Sequence, residues 1–390
     1  MNYLIKNFEN EGVEVKISNL EIPHKTKDYH IIFYVVSLNR TFEEQWKSLF
    51  KVLKNVIDDP SCLNMKSNAI PVFSRCFLTD IANQKEKVLN LSSLLNCEIS
   101  FIEQPLLDGS KLALWVNMQT DAMVENDGII GFDRNGYSHY YTIERFNQID
   151  RSLNVNVYDQ TISLLESYEN KLKEKNCTIA QNCLRTWFFV RDIDANYQDV
   201  ARARREKFQE IGLRSDTHYI ASTGIEGRSE YACEKVMLDT YAIKGLNNEQ
   251  VRFLQAKEYL CPTHKYGVTF ERGVMIDFGD RRNVYISGTA SIDKEGRVVH
   301  EGNVKLQCIK MMENVNALLH EAGCSFNDIL LVVIYLRDIA DYNYVKSFFD
   351  AKLTETPKLI LLAPICRPKW VIEMECIASK ELLNSKFRDF

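Results

Sequence analysis

The amino-acid sequence predicts a mixed α/β (α+β) chain of three tandem units that close on one another as an intramolecular pseudo-trimer, helices outside and sheets inside. Three observations predict it: an internal repeat, the order of strand and helix periodicities within each copy, and a composition suited to several cores. The 390 residues exceed the ~150 of one average domain. With 45% hydrophobic and 26% charged residues, the chain can bury its apolar side chains, which excludes a disordered or low-complexity protein.

The repeat is clearest between the second and third copies. Asn303-Val304 opens a helical pattern through Met311, Val315 and Leu319, and Gly323-Cys324-Ser325 leads into a strand ending Tyr335-Leu336-Arg337-Asp338-Ile339. Asn156-Val157 opens the same sequence of events, ending Arg185-Thr186-Trp187-Phe188-Phe189-Val190-Arg191-Asp192-Ile193. A weaker front copy has Glu44-Gln45-Trp46 leading a helix and Val72-Phe73-Ser74-Arg75-Cys76-Phe77 as the matching strand. Each copy opens with a hairpin-like region and, after its second helix, closes on two strands: 99–105 and 111–119, 217–225 and 233–243, 358–366 and 370–378. Strand–strand–helix–strand–helix–strand–strand places both helices on one sheet face. The bare faces need cover, and three linked copies can cover one another around a pseudo-threefold axis. The expected units are 1–122, 123–245 and 260–382.

Charge and composition exclude several functions. A net charge of −5 argues against nucleic acid as the main partner, because that affinity comes from Lys and Arg neutralising phosphates. The opening residues lack a basic segment followed by an apolar core, and the longest apolar run, Ile329 to Leu336, is far short of a bilayer span. No membrane association is expected. Eleven cysteines, without a Cys-x-x-Cys pair, fit a reducing cytoplasmic setting and no metal.

The final strand of the third copy, Trp370-Val371-Ile372-Glu373-Met374-Glu375-Cys376, distinguishes that copy. Alternation puts Glu373 and Glu375 on one face, roughly 6.5–7 Å apart. Near the place of Glu373 the other copies have the apolar Leu114 and Met237, so the architecture does not require a carboxylate there. A like charge and apolar neighbours both raise a carboxyl pKa towards that of a general acid working near neutrality. Glu373 is therefore the candidate acid, while pairing with an arginine is the expected role of Glu375. Just upstream, Cys366-Arg367 adds a thiol and a guanidinium. In the second copy an insertion supplies Tyr197 and, two helical turns on, Arg204, which could grip a carboxylate bidentately. Arg202 and Arg205 read as a solvated basic face. Ser222-Thr223-Gly224 and Ser287-Gly288-Thr289 read as small-residue turns that offer hydroxyls and N–H groups to an anion.

These residues carry a resemblance. Ser287-Gly288-Thr289-Ala290-Ser291, His300-Glu301-Gly302, Gln307, Tyr335-Leu336-Arg337, Cys366-Arg367 and Glu373-Met374-Glu375, with Arg185-Thr186-Trp187, Tyr197, Arg204 and Ala221-Ser222-Thr223-Gly224-Ile225, resemble the Rid/YjgF (endoribonuclease L-PSP-like) superfamily. The likeness is closer to its chorismatases, of the 3-hydroxybenzoate synthase type, over about residues 150–378. It implies a degenerate Rid-like first unit, a second unit contributing substrate-binding residues and a catalytic third unit, with a chorismate-mutase-like fold.

It also implies a cofactor-free enzyme that cleaves the enolpyruvyl ether of chorismate to pyruvate plus a hydroxybenzoate or dihydroxycyclohexadiene carboxylate. Glu373 would protonate the enol-ether methylene, and Cys366 would steer the ring towards aromatisation. Tyr197, Arg204, Arg185, Thr223, Gly288, Thr289 and Arg367 would bind substrate. Lys346, on the second helix of copy three, is the further cationic anchor expected, a point charge that cannot fork a carboxylate. The small dicarboxylate substrate is the expected partner, and the chain is expected to be a monomer or weak oligomer. Two alternatives stand beside this reading: a Rid-type enamine/imine deaminase and a non-catalytic small-acid-binding homologue. Single-domain deaminases of the superfamily hold the substrate carboxylate with an arginine on the penultimate strand, where this chain reads Pro357-Lys358-Leu359.

Overall fold

A computed structural model of the chain describes residues 1–127, 129–146 and 155–390; the first residues of the stretch carrying the resemblance, 150–154, lie outside the described residues. Three six-stranded sheets follow one another. The first contains β1 (Asn2–Phe8), β2 (Val13–Asn19), β3 (Asp28–Val35), β4 (Ile70–Leu78), β5 (Glu98–Glu103) and β6 (Leu112–Gln119), with helices α1 (Phe42–Asp58), α2 (Ile81–Gln84) and α3 (Leu91–Leu95). The second contains β7 (Met123–Asp127), β8 (Ile129–Arg134), β9 (Tyr137–Glu144), β10 (Cys183–Val190), β11 (Ala221–Glu226) and β12 (Val236–Lys244), with α4 (Val157–Glu174), α5 (Ile179–Asn182) and α6 (Ile193–Glu210). The third contains β13 (Val251–Leu254), β14 (Gly273–Asp277), β15 (Arg281–Ala290), β16 (Ile329–Leu336), β17 (Lys358–Leu362) and β18 (Ile372–Glu381), with α7 (Val304–Glu321) and α8 (Tyr342–Lys352).

All three share one strand order: first, second, third, sixth, fourth, fifth. The fourth and fifth strands of each run parallel, which requires the crossover that the second helical segment supplies. The long helices start where the sequence caps them. The Asn156 and Asn303 side chains accept the backbone N–H of Asp159 and Leu306, and Thr41 with Glu44 forms a capping box.

Two features differ from the sequence expectation. Each unit opens with three strands rather than a hairpin, and the additional strand of the third sheet, Val251–Leu254, lies ahead of residue 260. The second helix of the front unit is broken into short pieces, Ile81–Gln84 and Leu91–Leu95 with a 3₁₀ turn between them, although its buried residues Ile81, Val88, Leu91 and Leu95 share one helical face.

Helices cover the outer face of each sheet. The inner faces meet in one apolar cluster that joins Phe73 and Trp115, Tyr141 and Trp187, and Tyr285 and Tyr335 from the successive units. Burying each such ring contributes about 1.5–3 kcal/mol. Backbone bridges tie every pair of units: Glu103 to Arg228, Ile225 to Ile365 and Leu106 to Leu361. Buried ion pairs cross two of the seams, Arg75–Asp239 at 2.8 Å and Arg185–Glu375 at 2.7 Å. A buried charge needs such a partner, because leaving it alone costs several kcal/mol.

Candidate active site

The seam between the second and third sheets is held by very small side chains. Ser222–Gly224 and Ser287–Thr289 are not turns, as the sequence suggested, but lie within β11 and β15. The Ser287 hydroxyl accepts the Ser222 N–H at 2.9 Å and donates to the Glu271 carbonyl at 2.6 Å. The Gly288 N–H donates to Thr223 Oγ1 at 2.8 Å. A Cβ on Gly288 would overlap the Glu373 carboxyl. Glycine is what allows the acid to lie against the seam.

Above this floor is a cavity of about 350 Å³. Glu373, Cys366 and Arg367 enter it from the third unit; Tyr197 and Arg204 enter from α6 of the second, and Gly288 lies in its floor. Arg185, Thr223 and Thr289, expected to touch substrate, lie behind this wall. Thr289 is fully buried and its hydroxyl donates to the Ser287 carbonyl at 2.9 Å. Lys346 is not part of the site: it is half exposed on α8 and pairs with Asp350. Val345 and Phe349 form the buried face of that helix, and the residue after Val345 necessarily turns away.

The two glutamates have opposite surroundings. Glu375 receives Arg185 Nη2 at 2.7 Å, Trp187 Nε1 at 2.9 Å and Thr223 Oγ1 at 2.5 Å. The Thr223 oxygen already accepts Gly288 N and Arg185 Nη2, so its proton is left for Glu375. Every one of these groups donates, and Arg185 makes Glu375 one half of a buried ion pair. Glu373 is 5% exposed, and among the described residues no group donates a hydrogen bond to it. Burial, reinforced by the charge of Glu375, pushes its carboxyl up to about 8 despite the opposing pull of Arg272 and Arg185. An ion-paired glutamate and an acid held neutral by burial therefore stand side by side. Burial likewise pushes the Cys366 thiol up to about 12, with Glu373 adding to the effect; the cysteine is an uncharged wall, not a nucleophile.

Arg204 lines the same cavity as the acid. Its guanidinium is 1% exposed and donates to Thr269 Oγ1 at 3.3 Å and Ser222 Oγ at 3.4 Å, while Nη2 has no partner among the described residues. Ser222 pairs with Thr186 in β10 as Lys358 pairs with Val332 in β16, so the two hold equivalent places in their units. A serine in the second unit leaves room for a guanidinium reaching over from α6. Lys358 itself is buried elsewhere, donating to the Leu353 carbonyl at 2.8 Å and pairing with Asp350 at 3.1 Å.

Sequence reasoning missed Arg272, which lines the cavity with Phe270 and Val268. Their alternation just ahead of β14 was the available signal. It also misplaced one register: the position of Glu373 in the first unit is held by Ala113, not Leu114, since Ala113 opposes Phe77 as Glu373 opposes Tyr335. Met237 opposes Phe189 as expected. Among the described residues no cluster of three His, Cys, Asp or Glu could hold a metal ion, and no helix is long and apolar enough to cross a membrane.

Three repeated sheets with an acid and a buried guanidinium at one seam define a chain of three like α/β units, and comparison with known proteins specifies its family. The family model for endoribonuclease L-PSP matches residues 275–380. A RutC family protein of Pyrococcus abyssi is 35% identical over 100 residues, covering 25% of this chain and 79% of that protein. The 3-aminoacrylate deaminase RutC of Acinetobacter baylyi is 29% identical over 97 residues, 24% of this chain and 77% of that protein. The chain belongs to the RutC family, the Rid group of proteins. Among solved structures, that of a chorismatase matches with a TM-score of 0.60 and 18% identity, covering 79% of this chain and 93% of the other; the likeness is one of fold across the repeated units.

Proposed function

We propose that the chain is a chorismatase-like enzyme that cleaves the enolpyruvyl ether of chorismate. The observation that carries the proposal is the pairing, in one cavity, of the neutral Glu373 carboxyl with the buried Arg204 guanidinium, whose Nη2 has no partner among the described residues. A buried acid without hydrogen-bond donors keeps its proton up to near-neutral pH and so has one to deliver, and a buried cation without a carboxylate partner is suited to an anionic substrate. Chorismate brings two carboxylates; in this reading Arg204 binds one, with Tyr197 beside it, and Arg367 binds the other.

In this mechanism Glu373 protonates the terminal methylene of the enolpyruvyl group. Water adds to the resulting oxocarbenium carbon, the hemiketal releases the ring oxygen, and pyruvate leaves with a dihydroxycyclohexadiene carboxylate; the proton lost by the water restores Glu373. Loss of one water from the ring of that diol would give a hydroxybenzoate, and in this reading Cys366, in the cavity wall, influences that step. Incubation with chorismate, with pyruvate and ring products followed by liquid chromatography and mass spectrometry, tests the proposal. The RutC relatives support a second reading, deamination of a small enamine or imine acid at the same cavity, and ammonia release from such a substrate would favour it. The burial of Lys358 at a different place weighs against it.

A further inference from the structure

Two cavities lie in succession along the seam between the second and third units. Beside the candidate active site is a second cavity, of about 310 Å³, between the 215–219 segment that follows α6 and the stretch 255–272 that precedes β14. The segment 267–272 is the wall between them. Val268 and Phe270 face the first cavity, Glu271 faces the second, and Arg272 lines both. The second cavity carries Lys257, Lys265 and Arg272 against the single acid Glu271. That acid is already engaged, accepting the Tyr219 N–H at 3.0 Å and the Gln255 amide at 3.4 Å. Among the described residues no carboxylate forms an ion pair with Lys257 or Lys265.

The whole chain carries a net charge of −5, yet Arg204, Arg205 and Arg367 line the first cavity, where Asp199 is already paired with Arg202, and this cationic set lines the second. A row of one charge sign along a cleft concentrates counter-ions and directs them along it. The volume suits a small organic anion.

We propose that the second cavity is an anion-binding antechamber to the first, taking a small carboxylate or phosphate between Lys257, Lys265 and Arg272. The proposal does not depend on the reaction performed next door. It is tested by calorimetric titration of the ligand-free full-length chain with pyruvate and, separately, with inorganic phosphate, comparing wild type, Lys257→Gln/Lys265→Gln and Arg204→Met. Melting curves confirm folding, and the exposed lysines can be replaced without disturbing a core. The expected result is two anion sites in the wild type, one of which weakens at least tenfold in the lysine variant and survives in Arg204→Met, for one anion or both. A lysine variant that titrates like wild type with both anions overturns the proposal, as does loss of all binding in Arg204→Met. Chorismate is not used, so failure here is distinct from failure of the proposed chemistry.

Discussion

The Glu373 carboxyl lies where a side chain on Gly288 would have to be. The acid comes from β18 and the glycine from β15, and the glycine N–H is in turn tied to Thr223 on β11 of the neighbouring unit. The acid therefore sits at the irregularity where β15 pairs with β18 in the third sheet, beside the seam with the second. Gly288→Ala should force the carboxyl out of place, and a misplacement of about 1 Å can cost ~10²-fold in rate. Pyruvate release is expected to fall by that order while the circular dichroism spectrum stays unchanged; wild-type turnover would show that the acid tolerates another position.

Arg204→Lys replaces a planar fork by a point charge at a buried site. Losing one charged hydrogen bond costs about 1.5–3 kcal/mol. Binding of a non-hydrolysable chorismate analogue should weaken by roughly ten- to a hundredfold, measured by calorimetry, and unaltered affinity would remove Arg204 from the binding site.

Much of this arrangement was legible in the sequence. Asn156 and Asn303 announced equivalent helices, the strands ending Arg191-Asp192-Ile193 and Arg337-Asp338-Ile339 announced equivalent sheets, and Glu373 stood out as a carboxylate at a place apolar in the second copy. The partners of Glu375 were not legible, because Arg185 and Trp187 lie on another sheet and meet it only across the seam. Lys346 was misplaced for a different reason: a positive charge was sought on α8 without asking which face Val345 and Phe349 bury. The Val251–Leu254 strand escaped because four residues at a sheet edge carry little periodic signal.

The stability of the protein should depend on pH through Glu373. Burial and the charge of Glu375 push its carboxyl up to about 8, from the 4.5 of a free glutamate, so the folded state binds the proton more tightly than the unfolded one. The folded state is favoured below the lower value, and that advantage is lost as pH rises through the interval to the upper one. Glu373→Gln has no such proton. The melting temperature of the wild type should therefore fall relative to the variant between about pH 4.5 and 8; parallel curves would contradict the buried neutral acid.

Cys366→Ala keeps the acid and the guanidinium but alters the wall. Pyruvate should still be released, and in a wild type that makes hydroxybenzoate the ring product should shift towards the diene diol. An unchanged ratio would show that the thiol has no part in aromatisation.

The central claim is that Glu373, not Glu375, supplies the proton. Pyruvate release from chorismate by Glu373→Gln and Glu375→Gln, each as a function of pH, tests it most directly. A positioned acid contributes about 10²- to 10⁴-fold, so Glu373→Gln should lose at least ~10²-fold in kcat with chorismate still bound. Glu375→Gln should lose less, and the wild-type rate should decline as pH rises through about 8, where Glu373 gives up its proton. Near-wild-type turnover by Glu373→Gln, or a dead Glu375→Gln beside an active Glu373→Gln, would contradict the account.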